Sequence, residues 1–315
     1  MVKENVMFRT LWVLIVFAGL TGCDAVPRPL LPYVMDDGDG GTDLYVYDLE
    51  SGASRLVRAT PASHEYDPAI DPTGTRIVYL ARSDESGGGQ TVYGLFVHEL
   101  EDPFNETDRE FRTRSSPMQT PAWSNDSESV AYVIEAEGKL QIETRELLTA
   151  SQDTTVIGFG SEPSWRVDDK ALFFSSRDRP DAAAGELNVH TLNDGVNRSL
   201  RLRGNGFANL PRGTSIAYTT LPYTRRNAAV WLLDANNRKR RLSSPGKLYT
   251  DADPVHIVGT TFVAFTRTEV ATNRSAIYVV DRAANNPVET RLFEADANVY
   301  TKGGAFLQSD TSREK

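Results

Sequence analysis

One strand-like phrase recurs six times in this chain, and that repetition constrains the fold more than any single residue does. It runs LYVYDL at 44, LFVHEL at 95, LQIETR at 140, LNVHTL at 187, VWLLDA at 230 and IYVVDR at 277, about one copy every 47 residues. A repeated unit that cannot cover its own apolar faces must cover them with its copies. Each copy alternates in the manner of a half-buried strand, with Leu, Val or Ile at its first and third positions. Most are followed by turn residues (ESG, NDG, ANN, AANN) and a further short strand.

A second element precedes the first by roughly 8 to 16 residues: Ile77-Val78-Tyr79, Val130-Ala131-Tyr132, Leu172-Phe173-Phe174, Ile216-Ala217-Tyr218 and Val263-Ala264-Phe265, with Tyr33 in LPYVM as a sixth member. All three positions are apolar, so these strands are covered on both faces, and an aromatic closes each triplet. A third element lies just upstream: DPAIDPTG from Asp67, TPAWSND from Thr120, EPSW from Glu162, and a weaker copy at Pro254. Here a short strand enters on proline and leaves through a tight turn, where Gly74 suits a positive φ. The turn glycine survives only at Gly74, and the unit reading GFANLPRG has lost most of the pattern.

Each unit is thus a four-stranded antiparallel sheet of about 45 residues, and radial stacking leaves only short strand edges. The expectation is an all-β, six-bladed β-propeller. The pattern PxWSxDxxxVAY…LxVxxL resembles the TolB-like (PD40, or WD40-like) repeat over residues 31–308, without the GH…WD signature of WD40 blades. The first unit offers second and third strands but no innermost one, whereas ANVYTKGGAFLQ is left over at the other end. Residues 298–308 are therefore expected to complete the first blade.

The N-terminal segment carries a different signal. Lys3 and Arg9 form a basic n-region before an apolar run over 11–20, the length of a secretory h-region and too short for a membrane span. Leu20-Thr21-Gly22-Cys23 follows and resembles the bacterial lipobox. That resemblance implies cleavage before Cys23, a diacylglycerol on its thiol and an acylated new N-terminus, since stable anchoring takes more than one chain. Cys23 is the only cysteine, so no disulfide is expected. The resulting domains are a signal peptide over 1–22, a lipidated, proline-bearing tether over 23–30, the propeller over 31–308 and a polar tail over 309–315. The protein would be lipid-anchored in a bacterial cell envelope, facing the periplasm.

The net charge of −9 becomes −10 once residues 1–22 are removed, which disfavours nucleic acid and anionic lipid as surface partners. The run Arg238-Lys239-Arg240-Arg241 follows the turn-like DANN and reads as a solvated hairpin arm. Catalytic patterns are scarce: there is no G-x-S-x-G, no HExxH and no cysteine pair. His98 and His190 share one register in different repeats and are no metal pair, whereas His64 and His256 flank strand entries, where a surface role is expected. The loop Asp36, Asp37, Asp39, Asp43 is a weak calcium candidate, with alternating oxygen donors but no terminal glutamate.

The resemblance to TolB-like propellers implies that residues entering the innermost strands surround one mouth of the channel. Here these are Tyr66, Asp67, Gln119, Thr120, Ser161, Glu162, Asp251 and Asp253. Acidic groups gathered there would favour a cationic peptide, a basic protein surface or a metal ion; in the bland alternative they satisfy backbone donors at strand starts. The leading expectation is a monomeric, non-enzymatic, cofactor-free scaffold binding an envelope protein or peptide. The rival is a metal-assisted hydrolase or lyase acting on envelope sugars or peptides at the channel mouth.

Overall fold

The apolar triplets lie at the centre of the packing, and their side chains divide between two neighbours. Ile77 and Tyr79 pack with Leu44 and Val46, whereas Val78 packs in the other direction with Val130 and Tyr132. Ala131 in turn joins Trp165 and Leu172. Alternating strand geometry sends successive side chains to opposite faces, so a triplet apolar at every position is a strand sandwiched between two others. Tyr132, Tyr218 and Phe265 are fully buried.

The computed structural model describes residues 27–38, 41–61, 63–84, 91–100, 108–147, 153–176, 185–209, 215–220, 228–234, 236, 238–293 and 297–302. Residues 1–26, which include the signal segment and Cys23, lie outside this set, as do Asp39 and the tail over 309–315. Every regular element described is a β-strand, and none of the described residues forms a helix long and apolar enough to cross a membrane.

The described strands form four sheets. The first contains β1 (Leu30–Asp36), β2 (Thr42–Asp48), β3 (Ala53–Arg58), β4 (Ser63–Ile70), β5 (Arg76–Asp84), β6 (Thr91–Glu99) and β7 (Arg109–Arg114). The second is β8 (Met118–Trp123), β9 (Ser129–Ala136), β10 (Lys139–Glu146) and β11 (Thr155–Phe159). The third runs through β12 (Ser161–Trp165), β13 (Ala171–Ser175), β14 (Gly185–Thr191), β15 (Asn197–Asn209), β16 (Ile216–Thr219), β17 (Val230–Leu233) and β18 (Lys239–Arg241). The fourth is β19 (Tyr249–His256), β20 (Phe262–Glu269), β21 (Ser275–Asp281) and β22 (Glu289–Arg291), and β23 (Val299–Tyr300) returns to the first sheet.

Six separate sheets are expected from the repeats, and the described residues form four. Two continuities account for the difference. β2 meets β4 through one parallel pair, Thr42 with His64, reinforced by the Thr42 hydroxyl donating to the Glu65 carbonyl at 2.6 Å. β15 is 13 residues long, pairing with β14 through its first half and with β16 through its second. The GFANLPRG unit has Gly206-Phe207 where other units have an X-Pro pair, and the register shifts there too, between Asn205 and Ala208.

The inner strands follow one another around the assembly: β4 neighbours β8, β8 neighbours β12, β12 neighbours β15 and β15 neighbours β19. β23 then packs on β20 and β21 and pairs antiparallel with β1, Val34 opposite Tyr300 and Met35 opposite Val299. The Asp36 amide donates to the Asn298 carbonyl at 3.0 Å, so the two ends of the described chain are hydrogen-bonded to each other. Residues 303–308 of the expected closing segment lie outside the described set.

Candidate binding site on the inner strands

A repeated bulge sets the geometry of the site, and X-Pro pairs occupy four of its copies. In β4, Tyr66 pairs with Leu80 and Ala69 with Val78, so Asp67 and Pro68 together oppose the single residue Tyr79. The same two-against-one bulge places Thr120-Pro121 opposite Tyr132, Glu162-Pro163 opposite Phe174 and Asp253-Pro254 opposite Phe265. Proline has no N–H for the ladder and is tolerated in a sheet at such bulges. The closing aromatic of each triplet is therefore the residue that faces the bulge.

The first bulge residue takes a left-handed conformation in all four cases: φ is +48° at Asp67, +46° at Thr120, +56° at Glu162 and +50° at Asp253. A non-glycine residue held there costs about 1–3 kcal/mol. The register places Thr301 at the same position in the closing strand, because its predecessor Tyr300 opposes Val34 as Tyr66 opposes Leu80. Asp67, Thr120, Glu162, Gly206, Asp253 and Thr301 thus occupy one equivalent position in six inner strands.

Neighbouring members of this set are bonded across the sheets. The Thr120 amide donates to Asp67 Oδ2 at 2.8 Å. The Thr301 hydroxyl donates to the Asp253 carbonyl at 2.7 Å, and the Thr301 amide to Thr266 Oγ1 at 2.9 Å. Asp67, Glu162 and Thr301 are buried, while Thr120 and Asp253 are half-buried. Asp67 does satisfy a backbone donor, but the donor belongs to the next inner strand.

The other sequence candidates go elsewhere. Tyr66 belongs to the core between the first and second sheets, its hydroxyl donating to the Met118 carbonyl at 2.9 Å. Gln119 and Ser161 are buried one residue before their bulges. Asp251 is fully buried beneath Arg267, whose guanidinium donates to it at 2.7 and 2.9 Å and to Glu289 at 2.6 Å. Ser243 Oγ adds a bond to Asp251 at 2.5 Å, and Arg267 stacks over Tyr278 with its guanidinium carbon 4.5 Å from the ring centroid. Burial pushes the Asp251 carboxyl up against these bonds, while on Arg267 the two carboxylates outweigh burial and hold the guanidinium charged. Asp251 is a packing anchor between β18 and the fourth sheet. Neither Arg267 nor Glu289 is marked by any repeat.

Asp39 of the acidic loop lies outside the described residues, and two of the remaining carboxylates bond locally. Asp37 Oδ1 accepts the Gly41 amide at 2.9 Å and Asp36 Oδ2 accepts Asn298 Nδ2 at 3.0 Å. Among the described residues no group of three His, Cys, Asp or Glu side chains is arranged to hold a metal ion. His98 and His190 serve their own sheets, with Nδ1 2.8 Å from Asp108 Oδ1 and from Asn197 Oδ1 respectively. His256, expected at the surface, is half-buried with Nε2 3.0 Å from the Thr260 carbonyl, and burial lowers its pKa to about 4. The basic run is not wholly solvated either, because Arg240 donates to the carbonyls of Arg282 and Ala284. A cavity of about 540 Å³ beside it, lined by Arg241, Ser244, Asn286 and Glu289, lies at the outer strands and not on the inner ones.

Solved structures share this arrangement of sheets. TolB from Acinetobacter baumannii superposes with a TM-score of 0.69 at 15% identity, over 87% of this chain and 66% of that one. A putative TolB from Agrobacterium tumefaciens gives 0.62 at 14% identity, over 85% of this chain and 90% of its own. The fold is a TolB-like β-propeller. An oligogalacturonate lyase in complex with manganese also matches, with a TM-score of 0.51 at 11% identity over 76% of this chain and 71% of that one. No family model and no curated protein matches the sequence.

Proposed function

We propose that this TolB-like propeller is a non-enzymatic scaffold that binds an envelope protein or peptide, held to a membrane by a lipid on Cys23. The domain would span residues 31–308, and the four sheets would resolve into six blades, since the first sheet divides at the Thr42–His64 pair and the third within β15. The observation that carries the binding reading is the bulge position itself. Three of its six described occupants, Asp67, Glu162 and Asp253, are carboxylates on separate inner strands. Like charges repeated around one axis select a cationic group, such as a basic peptide or a basic protein surface.

In-cell crosslinking of the intact protein, followed by mass spectrometry of what copurifies, tests this reading. The comparison is with the triple variant Asp67→Asn, Glu162→Gln, Asp253→Asn, which removes charge and keeps hydrogen-bonding capacity. A stoichiometric protein partner lost in the variant supports the scaffold and its site; a partner retained at full yield refutes the site. The likeness to a manganese-bound lyase favours one second reading, metal-assisted hydrolase or lyase chemistry on envelope sugars or peptides. Stoichiometric divalent metal lost in the same variant would favour it. Cys23→Ser tests the anchor, and unchanged membrane attachment and processing would refute it.

A further inference from the structure

The entry of the chain into the propeller decides which face an anchored molecule turns to the lipid. β1 is a second strand whose inner partner, β23, comes from the other end of the chain, so no turn precedes it. Pro27 and Arg28 fill that place and lie against the inner turns of two other units. A Cβ on Gly74 would stand 3.6 Å from the Arg28 carbonyl oxygen, and one on Gly259 would stand 2.7 Å from that of Pro27. Both glycines have positive φ, +76° and +77°, so a second turn glycine exists beside Gly74, against the sequence expectation, and Gly259 leaves room that no other residue would.

The segment is also fastened. Leu49 donates its amide to the Pro29 carbonyl at 3.1 Å, and Arg28 is paired with Asp48 at 2.7 Å. Cys23 lies four residues before Pro27, so a fully extended tether reaches only ~14 Å beyond it. A strand of nine residues such as β5 is ~30 Å long. The tether is too short to pass around the ring to the face where the inner strands begin.

We propose that the face carrying the turns over 71–75, 166–170 and 257–261 rests on the lipid surface, and that the opposite face, where the inner strands begin, points into the aqueous compartment. This rests on the reading of Cys23 as the acylated residue. The lipid-side face exposes Val167, Val196, Phe262 and Val288 at its turns, the last 75% exposed. Apolar residues dip into the headgroup boundary at little cost. Leu248, Tyr249 and Val270 are exposed on the opposite face, so exposure alone would not choose between them; the tether does. The occupant of the turn face is the bilayer that holds the anchor, and the occupant of the opposite face is the soluble partner.

Fluorescence quenching on the intact lipoprotein in phosphatidylethanolamine–phosphatidylglycerol vesicles tests the orientation. Because the acylated Cys23 is the only native cysteine, Val167→Cys, Val288→Cys, Leu248→Cys and Val270→Cys each offer one reactive thiol for a fluorophore. With headgroup-nitroxide lipid as quencher, labels at 167 and 288 are expected to be quenched at least twofold more than those at 248 and 270. Equal or reversed quenching, with Cys23 shown by mass spectrometry to be acylated, overturns the orientation alone. An unmodified Cys23 overturns the anchor and the orientation together and leaves the partner-binding reading standing.

Discussion

Glu65→Gln isolates one buried charge whose effect on stability has a definite sign. Glu65 is 1% exposed in β4, one residue from the interior Tyr66, and its Oε2 has no hydrogen-bond partner. Burial is the largest influence on its carboxyl, the Thr60 side chain offsets part of that, and Asp43 and Arg58 oppose one another, leaving the pKa at about 7 against an ordinary 4.5. Between those values the folded protein holds a proton that the unfolded chain releases. Stability therefore falls as pH rises from 4.5 to 7 and is level beyond. A shift of that size corresponds to about 3 kcal/mol. Glutamine keeps the shape and cannot ionise, so the variant should match the parent near pH 4.5 and exceed it by about 3 kcal/mol at pH 8. Urea denaturation of both proteins at the two pH values measures this, and taking the difference cancels every other titrating group. A change in that difference below about 1 kcal/mol would refute the placement of Glu65 as a desolvated carboxyl.

Four further outcomes follow from the packing. His256→Gln should act in the opposite direction: its folded pKa of about 4 lies below the ordinary 6.5, so the parent loses up to about 3 kcal/mol as pH falls through that window and the variant does not. Arg267→Met strands Asp251 without its cation and should cost about 3–5 kcal/mol in chemical denaturation, with Asp251→Asn in the same chain recovering part of it. Trp123→Phe and Trp165→Phe each remove an indole N–H that donates at 3.0 Å to a carbonyl of the preceding inner strand, Ala69 or Ala122, and each should cost about 1–3 kcal/mol by thermal melting. Tyr300→Ala should loosen ring closure by about 3–5 kcal/mol, read as faster proteolysis near the chain ends together with lower urea resistance.

Much of the fold is legible in the residues because the repeats carry it. The triplets are apolar at every position since each strand is covered on two sides, and a strand covered twice has no polar face to hide the signal. The leftover VYT segment reads as a closing strand because the first unit lacks one, and Val299 and Tyr300 do pair with β1. The sheet count was less legible. A single parallel pair at Thr42 and the unbroken run of β15 from Asn197 to Asn209 fuse neighbouring units, and neither leaves a periodic mark. The site was half legible: Asp67, Thr120, Glu162 and Asp253 announce themselves by the proline that follows each. Thr301 is followed by Lys302, and only its register assigns it to the same set.

Asp251 shows where the line falls. By sequence it stands two residues before Asp253, and nothing marks which of the two carboxylates is fully buried against a neighbouring strand. The structure turns it to Arg267 and Ser243, partners 16 and 8 residues away. Local pattern determined which residues become strands, which strands are covered on both faces and where prolines force a bulge, because those are properties of a few consecutive residues. Only the tertiary structure decided which carboxylates are neutralised, which strands fuse, and that Pro27 and Arg28 lie between the turns at Gly74 and Gly259. Those outcomes depend on distances between segments that the order of residues along the chain does not encode.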